Sequence, residues 1–225
     1  MRSRIDILID ALDAEGEKRP RAAMARLRAM DPTALPSLRR AARIDSRVRV
    51  RRWALELLGQ MKDRQALPTL KLALQDPAMS VRLHAIHGLV ATGATRAGKA
   101  LIPLLKDPSG GIRVNAVDAL RHLRVPDCEA ALLQATCDEK WYVRQRAALA
   151  LSAFGRRKAL PRLRAMLKDP NKTVRKAAQT TIDSFKVTDA LNRVYAKEDS
   201  SLPPDLERYT IEMMRRVEWD NASAR

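Results

Sequence analysis

Apolar residues recur along this chain at intervals of three and four, and that pattern itself repeats every 31 residues. Steps of 31 from Asp45 land on Asp76, Asp107, Asp138 and Asp169. Five residues after each Asp stand Val50, Val81, Ile112, Val143 and Val174, and nine after stand Ala54, Ala85, Ala116, Ala147 and Ala178. Thirteen after come Leu58, Leu89, Leu120, Leu151 and Ile182. Positions spaced this way share one face of an α-helix, here helix B of each unit. The other half of the unit carries a second apolar set, as in Leu67, Leu70, Ala73, Leu74 and again in Leu160, Leu163, Met166, Leu167. That set predicts a helix A.

The punctuation agrees. Pro68, Pro103 and Pro161 are expected in the first turns of helix A, where a missing N–H costs little. Asp-Pro at 76–77, 107–108 and 169–170 predicts the A-to-B turn, because Pro cannot continue helix A. Gly93 and Gly155 are expected to end helix B. One helix pair cannot bury its apolar face alone, but stacked pairs can. The expected fold is therefore all-α: a right-handed α-solenoid, or superhelix, of antiparallel helix pairs in a single domain over 1–225. Residues 1–31 are expected as an N-terminal cap with helices Arg4–Ala14 and Lys18–Met30. Repeats should fill 32–199, and 200–225 should hold a capping helix, Pro203–Trp219, with a short tail.

The string D-P-x-x-x-[VI]-R-x-x-A, with Ala119-Leu120 completing it in Asp107–Leu120, resembles HEAT repeats. It is most similar to the short repeats of the bilin-lyase-like family (PBS lyase HEAT-like). The chain departs from the pattern at Asp45, which lacks the Pro, and at Asp138-Glu139. The resemblance implies a solenoid whose B helices line a concave surface. It also implies a bilin-lyase or accessory-subunit role as one alternative, although a repeat by itself carries no chemistry.

Residues identical in every unit serve the frame. The repeated Asp is expected to cap helix B. Arg51, Arg82, Arg113, Arg144 and Arg175 are expected to reach the Asp of a neighbouring turn and build a ladder. Function is then sought in what differs. With about 100° per residue, positions +4, +7 and +11 after each Asp lie opposite the buried arc, with +8 on one flank. Row +7 reads Arg52, Leu83, Val114, Gln145, Lys176, and row +11 reads Glu56, His87, Asp118, Leu149, Thr180. Row +4 reads Arg49, Ser80, Gly111, Tyr142, Thr173. With Trp53 and Arg146 on the flank, the expected partner-binding set is Arg49, Arg52, Trp53, Glu56, Leu83, His87, Val114, Asp118, Tyr142, Arg146, Leu149 and Lys176. Its ends are basic and its middle is apolar or uncharged. A desolvated centre with a charged rim suits a protein or peptide partner.

The three histidines, His84, His87 and His122, fall on two adjacent B helices. His84 and His87 share a helix face, and Glu56, His87 and Asp118 occupy one row. Equivalent positions start about 10 Å apart, too far for tight ligation, so no metal is expected. Trp53 one turn from Glu56 also keeps a resemblance to HEAT-like alkylpurine DNA glycosylases in view, although their repeats are irregular. Arg47-Val48-Arg49-Val50-Arg51-Arg52 and Arg156-Arg157-Lys158 form basic runs, read as solvated faces with an anion-binding edge as the alternative.

Composition changes this picture in three places. A formal net charge of +17, from 43 Lys and Arg against 26 Asp and Glu, suits nucleic acid, an anionic membrane surface or an acidic protein. The excess is uneven: +4 over 45–75, −1 over 107–137 and +7 over 138–168. Cys128 and Cys137 lie nine apart without zinc-site or disulfide spacing, which fits a reducing compartment. No apolar run is long enough to span a membrane. The expectation is a cytoplasmic, non-enzymatic scaffold without cofactor, monomeric by default. It would bind an acidic or amphipathic protein, with nucleic acid as the alternative partner.

Overall fold

The structure, a computed structural model, describes residues 3–16, 18–30, 32–154 and 156–197, and side chains at 156–157 and 189–197 are outside that description. Gly155, the side chains of Arg156 and Arg157, and the predicted helix Pro203–Trp219 therefore lie outside the described residues. The cap begins with α1 (Arg4–Asp10), extended by a 3-10 turn at Ala11–Asp13, and α2 (Lys18–Ala29). The A helices are α3 (Leu35–Ile44), α5 (Leu67–Ala73), a 3-10 helix over Thr95–Lys106, α8 (Glu129–Ala135) and α10 (Arg156–Met166). The B helices are α4 (Val48–Gln60), α6 (Met79–Ala91), α7 (Gly110–His122), α9 (Trp141–Ala150) and α11 (Lys172–Lys197). All described regular structure is helical, in antiparallel pairs.

The repeated apolar positions are the core. Val50, Val81, Val143 and Val174 are fully buried, as are Ala54, Ala85, Ala116, Ala147 and Ala178. One hydrophobic cluster runs from Leu8 to Phe185, so each pair buries its stripe against the next. Successive B helices pack closely, while successive A helices touch sparingly. B helices therefore line the inner side of the stack. The backbones of α4 and α6 come close together: a Cβ on Gly59 would stand 2.8 Å from the Gly88 Cα.

The Asp–Arg ladder forms, with a different division of labour from simple capping. Arg51 donates from Nε and Nη2 to both carboxylate oxygens of Asp76, at 2.8 and 3.0 Å. Arg82 does so to Asp107, Arg113 to Asp138 and Arg144 to Asp169. The remaining guanidinium nitrogen, Nη1, donates to the backbone carbonyls of the Asp in its own repeat and of the next residue, as Arg113 does to Asp107 and Pro108. Each Asp takes the backbone N–H two residues on, which belongs to the residue preceding helix B. The expectation that this Asp caps the first helical turn is thus corrected: it shapes the turn ahead of the helix. Asp45 has no ladder arginine upstream, and Arg47 fills that role while also reaching Asp10.

Three further details depart from expectation. Pro68 sits in the first turn of α5, but Pro161 lies inside α10, which begins earlier. Pro103 is out of register with both and lies inside the 95–106 3-10 helix. There its ring, which crowds the carbonyl four back and supplies no N–H, disfavours an α-helix. Finally, α11 runs 26 residues without the turn that ends other B helices.

That turn uses a left-handed residue at one register position: Lys62 (φ 52°), Gly93 (φ 63°) and Arg124 (φ 46°), each 31 apart. At Lys62 and Arg124 the carbonyls are closed in a Schellman pattern, Asp63 N–H to Leu58 and Val125 N–H to Leu120. Lys186 holds the same position and stays helical. The difference after Leu123-Arg124-Val125 is Pro126, which drives Val125 out of helical geometry; Thr188 follows Phe185-Lys186-Val187 and imposes no such break.

Candidate partner-binding groove

Side chains of successive B helices meet on the inner face, but not along the rows. Three of the +11 residues meet the +8 residue of the next repeat, 28 positions on. Glu56 Oε2 lies 3.3 Å from His84 Nε2, His87 Nε2 lies 3.3 Å from Asn115 Oδ1, and Asp118 Oδ1 lies 3.7 Å from Arg146 Nη1. A polar zipper thus runs between successive B helices, with a different pair at each step. The row of Glu56, His87 and Asp118 does not converge, and among the described residues no cluster of ligating side chains could hold a metal ion.

The zipper has a consequence for charge. His84 Nδ1 is 2.7 Å from the Ser80 carbonyl, which can only accept, so Nδ1 carries the proton. Burial is the main influence on the ring and lowers its pKa below the ordinary histidine value, against the opposing pull of the Ser80 carbonyl and Glu56. Nε2 is the ring nitrogen that faces Glu56. Glu56 Oε1 in turn accepts from Gln60.

Leu83 and Leu149 are half-buried and pack against the core, so only part of each remains open on the inner face. Val114 is also half-exposed, and Lys176 is exposed. Arg49 is turned to the frame instead: its Nη1 donates to the carbonyls of Asp13 and Ala14 at the cap. Tyr142 rests its hydroxyl against Gly110, where a Cβ would clash, and meets Trp141 edge to face at 5.7 Å.

At the N-terminal end a cavity of about 500 Å³ opens between α2 and α4. It is lined by Arg21, Met24, Ala25, Arg28, Trp53, Glu56 and Gln60. Arg52 stacks over the Trp53 ring at 4.5 Å. Sequence reasoning brought Trp53 and Glu56 together and missed the cap's side of this cavity. The signal was present, since Arg21, Met24, Ala25 and Arg28 follow the i, i+3, i+4, i+7 spacing of one helix face.

A second omission concerns the first residue of each B helix, row +3: Val48, Met79, Gly110, Trp141 and Lys172. Val48, Met79 and Trp141 are 41, 53 and 43% exposed, unusually open for such side chains. Among the described residues, no helix is long and apolar enough to cross a membrane.

Stacked antiparallel helix pairs, a register-wide ion-pair ladder and an inner face of B helices define an α-solenoid repeat protein. The family model for HEAT repeats matches residues 5–90, 42–113 and 98–183, and the chain belongs to the HEAT-repeat family. Among solved structures, YibA from Escherichia coli matches at 19% identity and a TM-score of 0.65, over 89% of this chain and 78% of that one. A designed armadillo repeat protein in complex with the peptide (KR)4 matches at 18% identity and 0.57, over 81% and 100%. The CpcE–CpcF complex of phycocyanin lyase from Nostoc matches at 22% identity and 0.42, over 79% and 96%. No curated relative matches by sequence.

Proposed function

We propose that this chain is a non-enzymatic scaffold that holds a partner protein or peptide of acidic or amphipathic character along its inner face. The observation behind this reading is the contrast between an unchanging ladder and an inner face whose pairs change at every repeat. Leu83, Val114 and Leu149 offer apolar surface for desolvation, and partly buried apolar patches ringed by charge suit such contacts. Asp118 faces the Arg146 cation, and exposed Arg28 and Lys176 add positive charge to the face. Arg52, Trp53, Glu56, His87, Tyr142 and Arg146 complete the contact set, while Arg49 contributes by holding the cap.

The test is selection of 12-residue peptides from a random display library, followed by affinity measurement by fluorescence polarisation. Leu83→Asp combined with Leu149→Asp is expected to weaken selected peptides at least tenfold while the helical circular-dichroism spectrum is retained. A (KR)4 peptide, matched in charge to the face, is expected not to bind. Equal binding by wild type and the double variant overturns the reading. A gel-shift series across salt tests the competing nucleic-acid partner, whose backbone contacts would weaken steeply with salt.

A further inference from the structure

We infer that the edge formed by the A-to-B turns, rather than the inner face, docks on an anionic lipid surface. Side chains that begin the B helices project from this edge: Val48, Met79 and Trp141, with Ile44 just before the first turn at 61% exposed. Pro77, Pro108 and Pro170 are exposed at the turns beside them. Tyr142 meets Trp141 edge to face and covers Gly110, in a repeat without its own apolar tip.

The charge on this edge is selected by the ladder. Asp76, Asp107, Asp138 and Asp169 sit at these turns, and each is drawn into a bidentate pair with an arginine and a backbone N–H. Their carboxylates are thereby withdrawn from the surface. The cations are not: Lys106, Lys140, Lys168 and Lys172 are exposed. The exposed acid among them, Glu139, lies 3.3 Å from Arg113 and 3.8 Å from Lys140.

Apolar tips among lysines, with a tryptophan at the level of the charges, match an interface of acyl chains beneath anionic headgroups. The cationic edge repels a second copy of the same chain, whose net charge is +17. A projecting ridge also suits a plane, where a peptide segment needs a groove.

The experiment is co-sedimentation of the full chain with large unilamellar vesicles of 30% phosphatidylserine in phosphatidylcholine, and of phosphatidylcholine alone. Binding is expected to the anionic vesicles and to fall at least tenfold on plain ones. Met79→Ser with Trp141→Ser, and separately Lys140→Glu with Lys172→Glu, should each lower partitioning at least tenfold. Brominated lipid should quench tryptophan emission in wild type, and Trp141→Phe should remove most of that quenching. The Leu83→Asp, Leu149→Asp variant should bind vesicles as wild type does, which separates this edge from the inner face. No binding to anionic vesicles, or binding unchanged by the apolar-edge variant, overturns the inference. So does a peptide or protein that competes for the edge while vesicles do not bind.

Discussion

The ladder and the zipper both link each repeat to the next, yet one is monotonous and the other never repeats. The ladder joins an Arg to an Asp 25 residues on, four times, at 2.7–3.0 Å. The zipper joins residues 28 apart as acid with histidine, histidine with amide, and acid with arginine. Burial explains the difference. Arg113 and Asp138 side chains are each only 8% exposed, whereas Asp118 and Arg146 are 36 and 48% exposed. A buried charge tolerates one partner geometry, so the pair is held constant. A half-exposed polar contact tolerates many, which leaves the inner face free to vary towards a partner.

The strongest way to break that contrast is Arg113→Ala. It strands the Asp138 carboxylate in a buried site and removes the donor to the Asp107 and Pro108 carbonyls. Breaking one side of a buried pair costs about 3–5 kcal/mol. Urea denaturation followed by circular dichroism should show a loss of that size. A loss under 1 kcal/mol would mean the ladder is no more structural than the zipper.

The next effect tests the close approach of α4 and α6. In Gly59→Ala the new Cβ meets the Gly88 backbone at 2.8 Å, so α4 and α6 must separate. Overpacking of this kind costs about 1–3 kcal/mol, against a helix-propensity gain of about 1 kcal/mol. Gly88→Ala instead meets the flexible end of Leu70, so its cost should be smaller. Thermal melts of the two variants should rank Gly59→Ala below Gly88→Ala; the reverse order would place the close approach elsewhere.

These comparisons also show what could be read from sequence. The period, the buried valines and alanines, and the ladder partners were legible because each depends on a side chain that must recur. The turn ending helix B was legible at Gly93 but not at Lys62 or Arg124, which reach the same left-handed backbone without glycine. A backbone can repeat while its side chains do not. The zipper was not legible in the rows, since a helical wheel orders one helix and carries no stagger between helices; that stagger, 28 rather than 31 residues, comes from packing. The exposed +3 row was missed for a related reason: Val48, Met79 and Trp141 look like core residues until the turn's geometry puts them outside.

The smallest effects belong to the zipper. A double-mutant cycle on Asp118 and Arg146, each changed to Ala, should yield a coupling of about 0.2–1 kcal/mol, the range for exposed pairs. A coupling comparable to the ladder's would end the distinction between frame and face. The Glu56–His84 step adds a pH dependence with a definite sign. Burial lowers the His84 pKa from 6.5, so the folded state favours the neutral ring. Its contribution is then complete above pH 6.5 and declines as pH falls below that value, because the unfolded chain takes up the proton first. Removing the ring with His84→Gln should make the stability of the variant relative to wild type improve as pH drops from 7 to 5.5. Thermal melts at those two pH values decide it. A wild type that gains on the variant under acid would show that Glu56 outweighs burial and that this step acts as an ion pair, as the ladder does.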